Sequence, residues 1–421
     1  MPPSREVVYH CKVMADSKPA AFSGAAASLI TDTTSRVRPN ARLIGLLALG
    51  HLVIDTNQGS LPAILPYLKS IHALSYAQAA TIVLVASITT SIIQPLFRYL
   101  ADQTARRWLL PTSVFLSGIG LGLTGVAPGY GALLLLVLVM GFGVAAYHPE
   151  GYRTAASVAG DRRATAVSWF SLGGNVGVAL GPPLITTLIA GFGIGGSVGL
   201  LVPSVLMAAL LVVALPTLSR PATAPAASRP RARGRNMPGA MALLILTVAI
   251  RSWAQLGFTT FVPFYYVDYL KADPRLVGPL LFVFLGAGAL GTVITGPLAD
   301  RWGTRPFMTW VFLAATPLGI LFLFTSGGPF AFVALGLFGA VLVSTFTVSV
   351  VLGQSYLPRN PGMASGLIVG FAIGTGGLGV TFLGWVADHW GLPSVLWICA
   401  LMPLLGFVVA LFLPRPRPEF A

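Results

Sequence analysis

The stretch HLVIDTNQGSLPAILPYL, residues 51–68, carries His51, Asp55, Asn57 and Gln58 inside a long apolar run. At about 100° per residue, spacings of four, three and four put His51, Asp55, Gln58 and Pro62 on one narrow stripe of a helix that is otherwise apolar. An ionisable group at membrane depth costs at least ~2.5 kcal/mol on insertion scales, so it normally faces a bundle interior or a water-filled path. Asp55 is therefore a candidate to exchange a proton with each side of a membrane in turn. His51, one turn away, is a candidate to relay or tune that proton, and Gln58 to line the path.

A second group lies in YHPEGYR, residues 147–153. Pro149 removes one backbone hydrogen bond and kinks its helix, freeing the carbonyl of Ala145. Glu150 and Arg153, three apart, can pair on one face, while His148 and Tyr152, four apart, share another. Glu150 and His148 are candidates for proton coupling. Arg153 is either a substrate contact or half of a structural ion pair. In RSWAQLGFTTFVPFYYVDY, residues 251–269, Arg251 and Gln255 share a face. Arg251 either snorkels to the membrane edge or faces a cavity, where it would suit a phosphonate or carboxylate. Phe258, Phe261, Phe264 and Tyr265 follow as an apolar wall or a lipid-facing belt. Gln94 and Asn175 are further candidates to line a polar path, or ordinary polar glue between helices.

The elements that must carry these groups follow from composition. Of 421 residues, 55% are hydrophobic and 9% charged, against roughly 25% charged in soluble domains. The chain therefore reads as an integral membrane protein. Twelve apolar runs have the roughly 20 residues a helical span needs: near 42–66, 76–99, 108–127, 131–154, 164–190, 197–217, 241–268, 276–299, 306–325, 329–354, 362–386 and 392–413. If the N-terminus is cytoplasmic, 22 of the 26 Lys and Arg lie on the cytoplasmic side. Lys69, Lys271 and Arg275 face the other way, and Arg251 is left inside a span. That asymmetry predicts a multi-pass protein of the plasma (inner) membrane with both termini cytoplasmic. It also explains the net charge of +14 as topology and attraction to lipid headgroups, with no call for nucleic acid.

Residues 1–41 contain no continuous apolar core of a signal peptide and read as a disordered cytoplasmic tail, with Met1 or Met14 as the start. Residues 218–240 read as a basic linker between six-span bundles at 42–217 and 241–414, and 415–421 as a cytoplasmic C-terminal tail. Cys11 and Cys399 lie at opposite ends of the chain, and no metal-ligand spacing occurs, so neither a disulfide nor a metal site is expected. No phosphate-cradling GxxxxGK[ST] occurs, so neither ATP nor another cofactor is expected.

The halves repeat. FRYLADQTARR, residues 97–107, and TGPLADRWGTR, residues 295–305, align at a constant offset of 198. In the second copy Gly296, Asp300, Arg301, Gly303 and Arg305 form G-x-x-x-D-R-x-G-x-R, where the Gly permits close helix approach and the Asp can pair with Arg or cap a neighbouring helix. In the first copy Arg98 and Ala105 replace the glycines, while Asp102 remains. Small residues also recur every fourth position, at Gly173, Gly177 and Gly181 and again at Gly362, Gly366, Gly370 and Gly374. These stripes offer close packing, static or sliding against spans two and eight.

Twelve spans, a basic central linker and a loop motif in both halves resemble the major facilitator superfamily over essentially the whole folded chain. The resemblance implies an all-α membrane fold of two pseudo-symmetric six-helix bundles. It also implies gating charges at Arg98, Asp102, Arg106, Asp300, Arg301 and Arg305 that hold the outward-open state. The opening stretch, YHPEGYR, GGNVG and residues 354–379 are similar to the fosmidomycin-resistance group, proton-driven exporters of small drugs; Ser355 departs from it where an acidic residue is expected. The implied function is proton-coupled export of a fosmidomycin-type phosphonate or other antibiotic by alternating access, the work of a monomer. A symporter importing a small organic anion would use the same residues with the opposite flux. A membrane-embedded enzyme is a distant alternative, because His51 and Asp55 have no nucleophile partner.

Overall fold

The computed structural model describes residues 39–94, 96, 97, 99, 106–160, 162–218, 235–372 and 374–415. Among them every regular element is helical. In hydrocarbon a helix satisfies all of its own backbone groups, which is why apolar runs of this length fold so.

The first half comprises α1 (Ala41–Ile71), α2 (Tyr76–Ile92), α3 (Leu109–Gly122), α4 (Tyr130–Ser157), α5 (Arg163–Phe192) and α6 (Leu201–Leu218). The second comprises α7 (Pro238–Phe264), α8 (Val277–Trp302), α9 (Thr304–Thr325), α10 (Phe330–Tyr356), α11 (Pro361–Gly366) and α12 (Gly376–Leu411). Local chemistry sets several ends. Asn40 caps α1 through Leu43 N–H at 3.2 Å, and Ser75 with Gln78 forms a reciprocal capping box on α2. Gly193, at φ 66°, ends α5. A π-helical turn, Leu367–Ala372, follows α11.

Nine helices among the described residues are long and apolar enough to cross a membrane. The last of these is the 51-residue run Pro361–Leu411, broken inside α12 at Gly391 (φ 81°, ψ 167°), a conformation that glycine adopts without strain. The polar stripe of α1 dilutes its apolarity below theirs, and α2 is only 17 residues long. The run of predicted spans thus has a helical counterpart throughout. Phe324, Val213 and Val293 point outward and exposed, as a lipid-facing surface requires. Of the predicted tail (1–41) residues 1–38, of the predicted linker (218–240) residues 219–234, and the final residues 416–421 lie outside the described residues, while 238–240 of the linker belong to α7.

The repeat is visible in packing. α1 lies along α5, α2 along α4, and α3 between α4 and α6; correspondingly α7 lies along α12, α8 along α10, and α9 between α10 and α12. The halves meet through α2 against α12 and α5 against α8. The first glycine stripe serves the bundle interior: a Cβ on Gly173, Gly177 or Gly181 would strike the carbonyls of Ala48, Leu52 and Thr56 on α1. It therefore packs on α1 rather than on the second or eighth span. In the second stripe, Gly374 meets Ser91 of α2, whereas Gly362 and Gly366 face open space.

Two sides can be told apart. One carries residues 39–40, 158–160, 162, 235–237 and 357–360 and most of the described Lys and Arg, and is called the basic side below. The opposite, far side is closed between the halves. Lys69 pairs with Asp268 at 3.2 Å, Tyr76 Oη donates to the same carboxylate at 3.0 Å, and Asp388 accepts from the main-chain N–H groups of Tyr76 and Ala77 at 2.8 and 2.9 Å. Thus Lys69, expected on the far side, is paired with an acid across the interface.

Candidate functional site

A central cavity of about 570 Å³ lies between the halves. From the first half it is lined by His51, Asp55, Gln58, Gln94, His148 and Asn175, from the second by Gln255 and mostly apolar neighbours. The lining residues occupy the middle and basic-side portions of their helices, below the closed far side. The polar stripe of α1 therefore reaches a shared path and not lipid.

Asp55, 6% exposed, sits between two imidazoles. Its Oδ2 lies 3.2 Å from His51 Nε2 and its Oδ1 lies 3.4 Å from His148 Nε2. His51 Nδ1 is 2.8 Å from the Phe170 carbonyl and His148 Nδ1 is 2.8 Å from the Val144 carbonyl. A carbonyl oxygen only accepts, so each Nδ1 carries a hydrogen and each Nε2 presents a lone pair to the carboxylate unless it takes a proton. Aromatic rings fix His51: Phe170 stacks on it at 4.2 Å between centroids, and His148 meets it edge-on at 4.9 Å. Tyr152 hydrogen-bonds Ser171 at 3.1 Å and lines the same cavity.

Gly174 makes room for the pair, since a Cβ there would lie 2.5 Å from His51 Nε2 and 2.6 Å from Asp55 Oδ2. Gly174→Ala is expected to cost about 1–3 kcal/mol through overpacking. The thermal midpoint of the solubilised protein reads it directly, and an unchanged midpoint would refute the contact.

Glu150 stands apart. It is fully buried and outside the cavity lining, and the expected pairing with Arg153 is not made among the described residues. Arg107 Nε approaches its Oε1 at 3.6 Å instead, Thr154 Oγ1 donates to it at 3.5 Å, and the main-chain N–H of Arg106 also donates to it. The helical spacing of three was compatible with an Arg153 pair, but a cation arriving from the preceding connection reaches the buried carboxylate first. Arg107→Ala is expected to destabilise the protein by on the order of 3 kcal/mol, because a buried carboxylate loses its partner. Adding Glu150→Gln should restore much of the loss in a thermal melt; additive losses would show that the two do not interact.

Arg251 is 2% exposed and opens onto an adjoining cavity of about 190 Å³ that shares Gln255, Leu256, Val343 and Phe346 with the central one. It donates to Gln255 Oε1 at 2.8 Å, leaving Nε buried without a partner, so it does not snorkel. The aromatic residues after it form neither cavity wall nor lipid belt. Phe258, Phe261, Phe264 and Tyr265 are buried, and Phe258 packs among Phe284, Phe322 and Phe338.

Of the expected gating charges, Arg98 and Asp102 lie outside the described residues. Asp300 and Arg301 are exposed, and Asp300 has no ion pair among the described residues. Gly296 has nothing near it to approach closely. Arg305 donates to the Leu411 carbonyl at the end of α12 at 2.9 Å. The repeat thus diverges: Arg107 finds Glu150, whereas the same offset puts Val348 at the position of Glu150, and Arg305 turns to a helix C-terminus instead.

A family model described as Major Facilitator Superfamily matches residues 47–375. The chain belongs to the Major Facilitator Superfamily. It is 34% identical over 410 residues to the fosmidomycin resistance protein of Escherichia coli (strain K12), spanning 95% of this chain and 98% of that one. It is 32% identical over 384 residues to the uncharacterized MFS-type transporter YfnC of Bacillus subtilis (strain 168), spanning 88% and 92%. Among solved structures, the nucleoside transporter NupG superposes with a TM-score of 0.72 at 15% identity, covering 88% of this chain and 99% of that one. An inward-facing bacterial homologue of the human lysosomal transporter Spinster gives 0.70 at 16%, covering 90% and 98%. These structures speak to the fold alone. As a superfamily member the chain is a multi-pass membrane transporter of small molecules, and its relatives by family and fold are transporters, not enzymes.

Sequence reasoning missed Arg107, Phe170, Gly174, Asp268 and Asp388. Gly174 stood inside the quoted GGNVG, and Arg107 inside the repeat, where its alignment with Arg305 marked it. Phe170, Asp268 and Asp388 gave no periodic signal.

Proposed function

We propose that this chain is a proton-coupled exporter of a small anionic, drug-like molecule, a phosphonate of the fosmidomycin type, working by alternating access between its six-helix halves. The observation that carries the reading is Asp55 held between two imidazole Nε2 atoms on the wall of the central cavity. Both contacts have a place for a proton, so cargo and protons can exclude one another from one space. Arg251, with Gln255 reaching the cavity beside it, supplies the cation that a phosphonate needs. The name of the relative that is 34% identical supports the substrate class.

In this reading the chain sits as a monomer in the plasma membrane with both termini and the basic side in the cytoplasm, and the described state receives cargo from there. The bundles span 42–217 and 241–414. Glu150, with Arg106 and Arg107, forms the basic-side latch of the first half, and Asp300, Arg301 and Arg305 form that of the second. Flux in sealed vesicles with an imposed pH gradient tests the proposal. Fosmidomycin should leave the compartment on the basic side as protons enter it. Uptake in the same direction as protons would overturn export, and no pH change with any phosphonate or other antibiotic would overturn coupling.

A further inference from the structure

His51, Asp55 and His148 each offer one ligand atom, and the three atoms lie within 4.8 Å of one another. No sequence spacing announced this, because His148 reaches the site from α4 and the other two come from α1. Two independent features mark it as more than a crowd of polar groups. Each imidazole spends its Nδ1 hydrogen on a main-chain carbonyl, at 2.8 Å in both cases. That outer contact fixes tautomer and ring orientation in metal-ligating histidines, and here it turns both Nε2 lone pairs toward the carboxylate. In addition, His51 Nε2 and Asp55 Oδ1 are buried and meet no polar partner outside this cluster.

We propose that these three side chains form a binding site for a divalent first-row transition cation, Zn²⁺ or a close relative, with one coordination position open to the central cavity. Two imidazoles and a carboxylate suit Zn²⁺, Ni²⁺, Co²⁺ and Cu²⁺, whereas Mg²⁺ and Ca²⁺ prefer all-oxygen shells. Each Nε2 lies 3.2 or 3.4 Å from a different Asp55 oxygen, and a bound cation would draw the three ligand atoms, spread over up to 4.8 Å, in toward the roughly 3.3 Å edge of a tetrahedron built on Zn–N bonds of about 2.0–2.1 Å. Three protein ligands and an open fourth position are the pattern of sites that also hold water or a substrate atom. The lining of the cavity by all three residues puts that position where cargo would pass. This site goes beyond proton coupling and does not depend on it.

The test uses the purified full-length protein with any affinity tag removed. Titration with Co²⁺ should give the visible d–d spectrum of a four-coordinate site, abolished by Zn²⁺ and untouched by Mg²⁺ or Ca²⁺. His51→Ala and His148→Gln should each weaken Zn²⁺ binding on the order of 100-fold, while His72→Ala and His389→Ala leave it unchanged. Melting curves without metal report whether each variant is folded. Should a variant melt early, the wild-type spectrum still decides. A wild type with no four-coordinate Co²⁺ signal, or a signal that survives loss of both His51 and His148, overturns the site. A chain that binds Zn²⁺ but moves no protons leaves this proposal standing and refutes the transport reading, and the converse result does the reverse.

Discussion

Asp55→Asn is expected to abolish pH-driven accumulation of cargo in sealed vesicles while leaving the folded yield unchanged or higher. The amide has the size of the carboxylate and fits the same gap between His51 Nε2 and His148 Nε2. It removes a buried charge whose insertion costs at least ~2.5 kcal/mol, so the fold has nothing to lose. It also removes the anion that draws protons to both contacts. Without an exchangeable proton, movement of cargo no longer couples to the gradient. Each elementary charge moved through ~100 mV is worth roughly 2.3 kcal/mol, about a fiftyfold concentration ratio, and that ratio should fall to unity. Downhill exchange of labelled cargo should persist, because the cavity keeps its shape. Continued uphill pumping by the Asn variant would remove Asp55 from the mechanism.

The features most legible in the sequence were those that membrane physics enforces residue by residue. Hydrocarbon tolerates only helices here, so apolar length marked the spans, and the stripe at His51, Asp55 and Gln58 marked the inward face of α1. What periodicity on one helix cannot show is which second helix supplies a partner. It allowed Glu150 to meet Arg153, whereas the carboxylate meets Arg107 from another element. It marked His51 and His148 as separate candidates, and their common partner Asp55 became evident only when α1 and α4 were packed together. Gly296 was expected to permit close approach because of its motif, but in this structure nothing lies within reach of it. The far-side seal left no pattern at all, since Asp268 and Asp388 act through partners 192 and 312 residues away in the chain.

That seal gives the second large effect. The combination Asp268→Ala with Asp388→Ala is expected to shift the protein from the far-side-closed state toward the far-side-open one by about thirtyfold. Asp388 places a carboxylate on the exposed N–H groups at the start of α2, at 2.8 and 2.9 Å, where the helix dipole favours an anion. An N-terminal contact of this kind contributes typically about 1 kcal/mol. Asp268 binds both Lys69 and the Tyr76 hydroxyl, and Lys69 also lies 4.4 Å from the centre of the Tyr76 ring. These groups are partly exposed, so they add about another 1 kcal/mol at most. Each 1.4 kcal/mol is a factor of ten, so about 2 kcal/mol gives the stated shift. On the basic side Asp300 is exposed and makes no ion pair among the described residues. Spin labels attached through His72→Cys and Trp390→Cys would measure the far-side separation, and its distribution should move to longer distances in the double variant. An unchanged distribution would mean that α2 on α12 and α5 on α8 hold the halves by packing alone, and that the charges are ornaments of the closed state rather than its latch.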